Sequence, residues 1–203
     1  MDFMEISKKR TTVRKFAQRH VEQDKLEKIL EAGRWAPTAI NAQPQRILVL
    51  NTTENLQKVK EFCTFGYDKK YVELAKECDD KEHGKINIYY GAPVVLFVAY
   101  DKTECWLHPN SKESSGLTDA TIVATHMMLE AASLGIGSAW ISYFDEEKAR
   151  KLLDIPDDWQ PVCMLYLGYP ADDFVPNIHL GGNRKPISET CFYNYVTNSK
   201  RQD

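Results

Sequence analysis

Apolar positions along the chain recur in two rhythms, and the switches between them predict an order of helices and strands. In residues 23–35, Leu26, Ile29, Leu30 and Gly33 follow i, i+3, i+4, i+7, with Glu27, Lys28 and Glu31 between them, which predicts an amphipathic helix. Pro37 ends it, because the residue before a proline is pushed out of the α region. Phe3, Met4 and Ile6 predict a short helix over 2–10, and residues 53–62 predict a surface helix. Residues 46–50 (RILVL), 93–100 (PVVLFVAY) and 162–168 (VCMLYLG) are continuous apolar runs, predicted as buried strands with 93–100 central. Residues 136–142 predict a further strand, whose small residues near its start let backbone approach a ligand closely. Thr118 to Leu134 is apolar on more than one face, which predicts a helix buried on several sides that also supplies a subunit interface. Gly135 ends that helix, and Asp145 is placed to cap the next one, over 146–153.

Two stretches break the rhythm. In 64–90, Tyr71, Leu74 and Ala75 have helical spacing and Lys76 to Lys85 is strongly charged, so a helix followed by a polar connection is predicted. Residues 101–116 form a loop holding Trp106, His108 and Pro109, where Trp106 either covers a planar ligand or packs its own loop. The C-terminal part reads as an irregular arm through Gly181-Gly182-Asn183-Arg184-Lys185-Pro186, with Ser188 capping a short tail helix. Strand and helix order alone suggests a generic α/β layer.

Composition narrows the function classes. The chain has 203 residues, 43% apolar and 27% charged, enough for one core, so 1–203 is expected to be a single domain. A net charge of −3 argues against broad nucleic-acid binding but allows a local anion pocket. The 5 cysteines form no CxxC pair, which suggests neither a disulfide framework nor a zinc site and fits a reduced, cytoplasmic chain. The polar N-terminus lacks a signal-peptide core and no apolar run is long enough for a bilayer, so no membrane role is expected. No GxGxxG, GxxxxGK[ST], GxSxG or HExxH motif occurs.

Candidate chemistry concentrates in a few places. Arg10-Thr11-Thr12-Val13-Arg14-Lys15-Phe16 carries three cations and two hydroxyls within seven residues. Arg supplies planar donor forks and Thr compact hydroxyls, a combination suited to a phosphate. A solvated basic edge is the alternative. Ala36-Pro37-Thr38-Ala39-Ile40-Asn41-Ala42-Gln43-Pro44 is a proline-bounded loop with donors and acceptors, leading straight into a buried strand. Arg184 and Lys185 form a second cationic point.

Taken in order, these blocks resemble the flavin-dependent nitroreductase family over about residues 3–187. Residues 10–16 resemble its R-R-S-x-R-x-F opening, and residues 36–44 its A-P-S-x-x-N-x-Q-P loop. Asp119 through Ile141 resembles its core helix and following strand. Leu167-Gly168-Tyr169-Pro170 and Arg184-Lys185-Pro186 resemble its G-Y-P and R-K-P ending. The resemblance implies an α+β fold: a mostly antiparallel central sheet flanked by helices, in an intertwined homodimer with a swapped C-terminal arm. It implies FMN as cofactor and NADH or NADPH as electron donor. Small-molecule acceptors follow from it: nitroaromatics, quinones or activated alkenes. By position, Arg10, Thr12 and Arg14 would bind the phosphate, the ribityl chain and the pyrimidine edge, with Thr11 standing where a second basic residue is usual. Pro37, Thr38, Asn41 and Gln43 would reach the flavin from the partner chain. Ser142 and Tyr143 would present backbone to its reactive nitrogen, and Arg184 and Lys185 would contact the phosphate. The hard chemistry would belong to the cofactor, so no protein nucleophile or metal is implied. Other branches of the fold dehalogenate or break down a flavin, using a lid that 64–90 does not match. A flavin-binding module without turnover is the remaining alternative.

Overall fold

In a computed structural model, residues 2–66, 79–80, 85–176 and 184–194 are described. They order into α1 (Phe3–Lys9), α2 (Gln23–Arg34), β1 (Gln45–Leu50), α3 (Thr53–Phe62), β2 (Thr64–Gly66), β3 (Asp79–Asp80), β4 (Lys85–Asn87), β5 (Val94–Asp101), α4 (Gly116–Ser133), β6 (Gly137–Ile141), α5 (Glu146–Leu153) and β7 (Trp159–Gly168). Local chemistry sets the helix starts. The Asp2 side chain accepts from the Glu5 N–H at 2.9 Å while Glu5 reaches back to the Asp2 N–H, a capping box on α1. Thr52 and Asp145 each accept from a backbone N–H in the first turn of α3 and α5.

The main sheet has the order β1-β5-β7-β6, and every neighbouring pair is antiparallel. That is the α+β arrangement the family resemblance implies, and it overturns the α/β layer read from element order alone. Alternate residues of β5 and β7 point to opposite faces, and both faces are covered, which is why the two strands read as unbroken apolar runs. On one face Leu96, Val98, Leu165 and Leu167 pack with Leu26, Ile29, Val123 and Met127 from α2 and α4. On the other, Val95, Phe97, Met164 and Tyr166 pack with Val59, Phe62 and Ala149 from α3 and α5.

Three sequence expectations change. β7 starts at Trp159 rather than Val162, and its register to β5 shifts between Val98 and Ala99. Pro161 lies in this strand, and the irregularity accommodates a residue that a regular central ladder excludes. In 64–90, the described residues form a small antiparallel sheet, β2-β4-β3, where a polar connection is predicted. The helix predicted around Tyr71–Ala75 lies outside the described residues. Finally, Ser188 sits inside a 3₁₀ turn, Ile187–Glu189, that Pro186 precedes, and it caps no helix among the described residues. No helix among the described residues is long and apolar enough to cross a membrane.

The G-Y-P turn after β7 ties α2 to the sheet. Tyr169 donates its hydroxyl proton to Glu22 at 2.6 Å and accepts from Lys25 Nζ at 2.6 Å, and the Arg19 guanidinium lies 3.8 Å over its ring. The hydrogen bond from Tyr169, with help from Arg19, holds the Glu22 carboxyl down at about 2. A depressed carboxyl favours the fold above its unfolded value, near 4.5, and that contribution fades as pH falls toward 2. Tyr169→Phe is therefore expected to be less stable than the parent at pH 7. The gap between their urea midpoints should close between about pH 4.5 and pH 2. A gap constant with pH would assign the loss to packing alone.

Candidate flavin site

Thr12 and Val13 pair along the outer edge of β6 and cover an otherwise open strand edge, and residues 15–17 run on beside the turn that follows β7. Thr12 forms a parallel bridge with Ser138, and the Val13 N–H donates to the Ser138 carbonyl at 2.9 Å. Further on, the Ala17 N–H donates to the Tyr169 carbonyl at 2.8 Å, and the Ala171 N–H to the Lys15 carbonyl at 3.0 Å. Two facing glycines make this close approach feasible. Gly137 and Gly168 are register partners, and a Cβ built on Gly137 would stand 2.6 Å from the Val13 side chain. One built on Gly168 would stand 2.8 Å from the Phe16 ring. The small residues at the start of β6 seat Val13, which is 1% exposed, and Gly137 and Ser138 also line the neighbouring cavity.

Extended backbone alternates its side chains, so Arg10, Thr12 and Arg14 fall on one side and Thr11 and Val13 on the other. Arg10 is half-buried and Arg14 exposed. Burial first, and then the neighbouring Arg184 guanidinium, lower the pKa of Arg10. Two cations 174 positions apart in sequence thus lie near enough for one charge to act on the other. Among the described residues, no carboxylate forms an ion pair with Arg10, Arg14, Arg184 or Lys185. A cavity of about 160 Å³ opens beside Arg10, lined among others by Lys9, Thr11, Val13, Gly135, Ser138 and Pro170, while Thr12 and Arg14 lie outside its lining.

The 36–44 loop is held in an unusual shape. Ile40, Asn41 and Gln43 all have positive φ, at 49°, 60° and 51°. For a β-branched residue such as Ile40 this costs about 1 kcal/mol or more. The Thr38 hydroxyl accepts from the Gln43 N–H at 3.1 Å, and the Asn41 N–H donates to the Thr38 carbonyl at 3.0 Å. Pro37, Ile40, Asn41 and Gln43 are exposed, Ile40 at 78%. The loop also has an anchor outside itself, which the sequence reading missed. Asp119, 2% exposed on α4, accepts from the Ala39 N–H at 2.9 Å and from the Ser115 hydroxyl at 2.7 Å. The available signal was a carboxyl on the buried stripe Ala120–Val123–Met127, a position that demands partners.

Ser142 and Tyr143 follow the end of β6 and are exposed, and Ser142 Oγ accepts from Trp140 Nε1 at 2.8 Å. Trp106 packs edge-on against His108 at 5.7 Å, and His108 Nδ1 accepts from the Ser111 N–H at 3.2 Å, so both shape their own loop.

One chain does not bring these groups together. The 36–44 loop enters β1 at one edge of the sheet, and residues 10–16 line the opposite edge beyond β6. Four strand spacings separate them, about 19 Å. Along α4, Asp119 holds the loop near the N-terminal end, while Ala132 borders the cavity near the C-terminal end. At the helical rise, those 13 positions span about 20 Å.

A family model described as the Nitroreductase family matches residues 7–169. A nitroreductase family protein of Clostridium difficile 630 superposes with a TM-score of 0.80 at 32% identity, covering 97% of this chain and 100% of that one. A nitroreductase of Bacteroides fragilis, solved with bound FMN, superposes with a TM-score of 0.65 at 24% identity over 86% of this chain and 91% of that one. In sequence, an NADPH-dependent oxidoreductase of Staphylococcus aureus is 28% identical over 170 residues, 82% of this chain and 64% of that protein. With the edge-docked cationic segment, the pinned loop and the antiparallel sheet in place, the chain belongs to the nitroreductase family.

Proposed function

We propose that this chain, acting over 1–203 as one domain, is an FMN-dependent NAD(P)H oxidoreductase of the nitroreductase type that works as a homodimer in the cytoplasm. The observation that carries the reading is a half-buried Arg10 lining the cavity, with the Arg184 charge near enough to lower its pKa and neither paired with a carboxylate among the described residues. Cations brought together against burial are stabilised by an anion, and FMN carries a phosphate that matches Arg donors. The cavity supports only part of such a ligand: about 160 Å³ lies below the roughly 300–1,000 Å³ usual for a ligand pocket. The rest is assigned to a second copy. Around a twofold axis across α4, the loop at the N-terminal end of one copy approaches the cavity at the C-terminal end of the other.

In this arrangement Arg10, Arg184 and Lys185 hold the phosphate, with Thr11 contributing its backbone N–H. Thr12 and Arg14 face the ribityl chain and the pyrimidine edge, where the Arg14 charge stabilises an electron-rich ring. Pro37, Thr38, Asn41 and Gln43 of the partner copy close the site and exclude water. The backbone at Ser142 and Tyr143 faces the reactive nitrogen. Bound FMN would supply the two-electron chemistry at its N5, in two half-reactions, with NADH or NADPH as hydride donor and a nitroaromatic, quinone or activated alkene as acceptor. The purified protein is expected to be yellow, to bleach on addition of NADH or NADPH, and to regain colour when an acceptor is added. Colourless protein that takes up no FMN would sink the reading, and flavin that never reoxidises at catalytic rates would make it a store.

A further inference from the structure

We propose that Asp119 is a positioning residue for the cofactor site, holding the Pro37–Gln43 loop in the backbone shape that FMN binding uses. This rests on the flavin reading above. Three residues in four positions carry positive φ, and one of them, Ile40, is β-branched and 78% exposed, so its own side chain gains little burial from the shape. Left to itself such a segment relaxes. The bonds inside the loop, from Gln43 to Thr38 and from Asn41 to Thr38, are local and solvent-facing. Among the described residues, two bonds tie the loop to the body: the Gln43 carbonyl accepts from Arg46 Nη1 at 3.4 Å, exposed at the entry to β1, and the Ala39 N–H is bound to the buried Asp119 Oδ1 at 2.9 Å, across 80 positions of sequence. Asp119 is itself immobilised: it is 2% exposed in the first turn of α4, and its other oxygen accepts from Ser115 Oγ at 2.7 Å. A buried acceptor on a packed helix thus fixes one backbone donor, and Ile40 and Asn41 follow within two residues.

The test has two arms. In cofactor-free protein, Asp119→Ala is expected to speed amide exchange at Ala39 through Gln43 while leaving exchange in β5 and β7 unchanged. In the second arm, the FMN Kd, read from flavin fluorescence, is expected to rise about tenfold or more in Asp119→Ala. Asp119→Asn keeps an oxygen for Ala39 and turns its amide toward the Ser115 hydroxyl, so it should stay within about threefold of the parent. Val123→Ala, buried on the same helix, controls for general loss of stability and should leave the Kd in place. Unchanged loop exchange, a parental Kd in Asp119→Ala, or an equal Kd loss in Val123→Ala would each overturn the proposal. Should the parent bind no FMN at all, the functional reading falls, and the exchange arm still decides whether Asp119 holds the loop.

Discussion

Replacing Arg10 and Arg14 together with alanine is expected to raise the Kd for FMN by roughly two to four orders of magnitude. Each charge-assisted hydrogen bond is worth about 1.5–3 kcal/mol, so two amount to about 3–6 kcal/mol, at about 1.4 kcal/mol per tenfold. The cofactor-free fold should hardly notice. Arg14 is exposed, and Arg10 stands half-buried near another guanidinium. Removing Arg10 relieves both its desolvation and its repulsion from Arg184. The melting temperature of cofactor-stripped protein is therefore expected to stay level or rise, while fluorescence titration reports the lost affinity. An unchanged Kd would remove this segment from the phosphate site.

Gly137→Ala is expected to damage fold and cofactor site together. Its new methyl would meet the Val13 side chain at 2.6 Å and the Gly168 carbonyl at 3.1 Å, so neither neighbour leaves it room. Overpacking of this kind costs about 1–3 kcal/mol, measurable as a shift in the urea midpoint. Val13 is the buried knob that fixes Arg10, Thr12 and Arg14 against β6, so the Kd for FMN should rise as well. Ile29→Ala separates the two effects, since it costs stability in the core cluster on the other sheet face, away from the cluster that holds Val13 and Phe16. If both variants lose equal affinity, the glycine contact has no special claim on the site.

The sequence made the helices legible because their signals are local. Asp2, Thr52 and Asp145 cap, Pro37 stops α2, and α3 and α5 fall on the predicted residues. Strand pairing is not local, and nothing in residues 93–100 states that β5 lies antiparallel to β1 and β7. The antiparallel order is carried by the motif blocks and not by the order of the elements. Pro161 concealed the first turn-to-strand residues of β7, since a proline argues against a central strand unless a bulge is granted. The cations at 10, 14, 184 and 185 were readable as residue types, whereas the approach of Arg10 to Arg184 requires the folded chain. Asp119 and Ile40 mark the limit most clearly. Their importance lies in a single backbone hydrogen bond and a dihedral angle, neither of which leaves a pattern in the residues alongside.

The separation of the two half-sites along α4 has a genetic consequence in the proposed dimer. Each site would draw its cationic segment from one copy and its loop from the other. A variant broken only at Arg10 and a variant broken only at the loop would each be defective alone. Mixed in one dimer, both lesions would fall on the same site, and the second site would be assembled wholly from intact parts. Two inactive alleles would thus complement each other, restoring one site of the two.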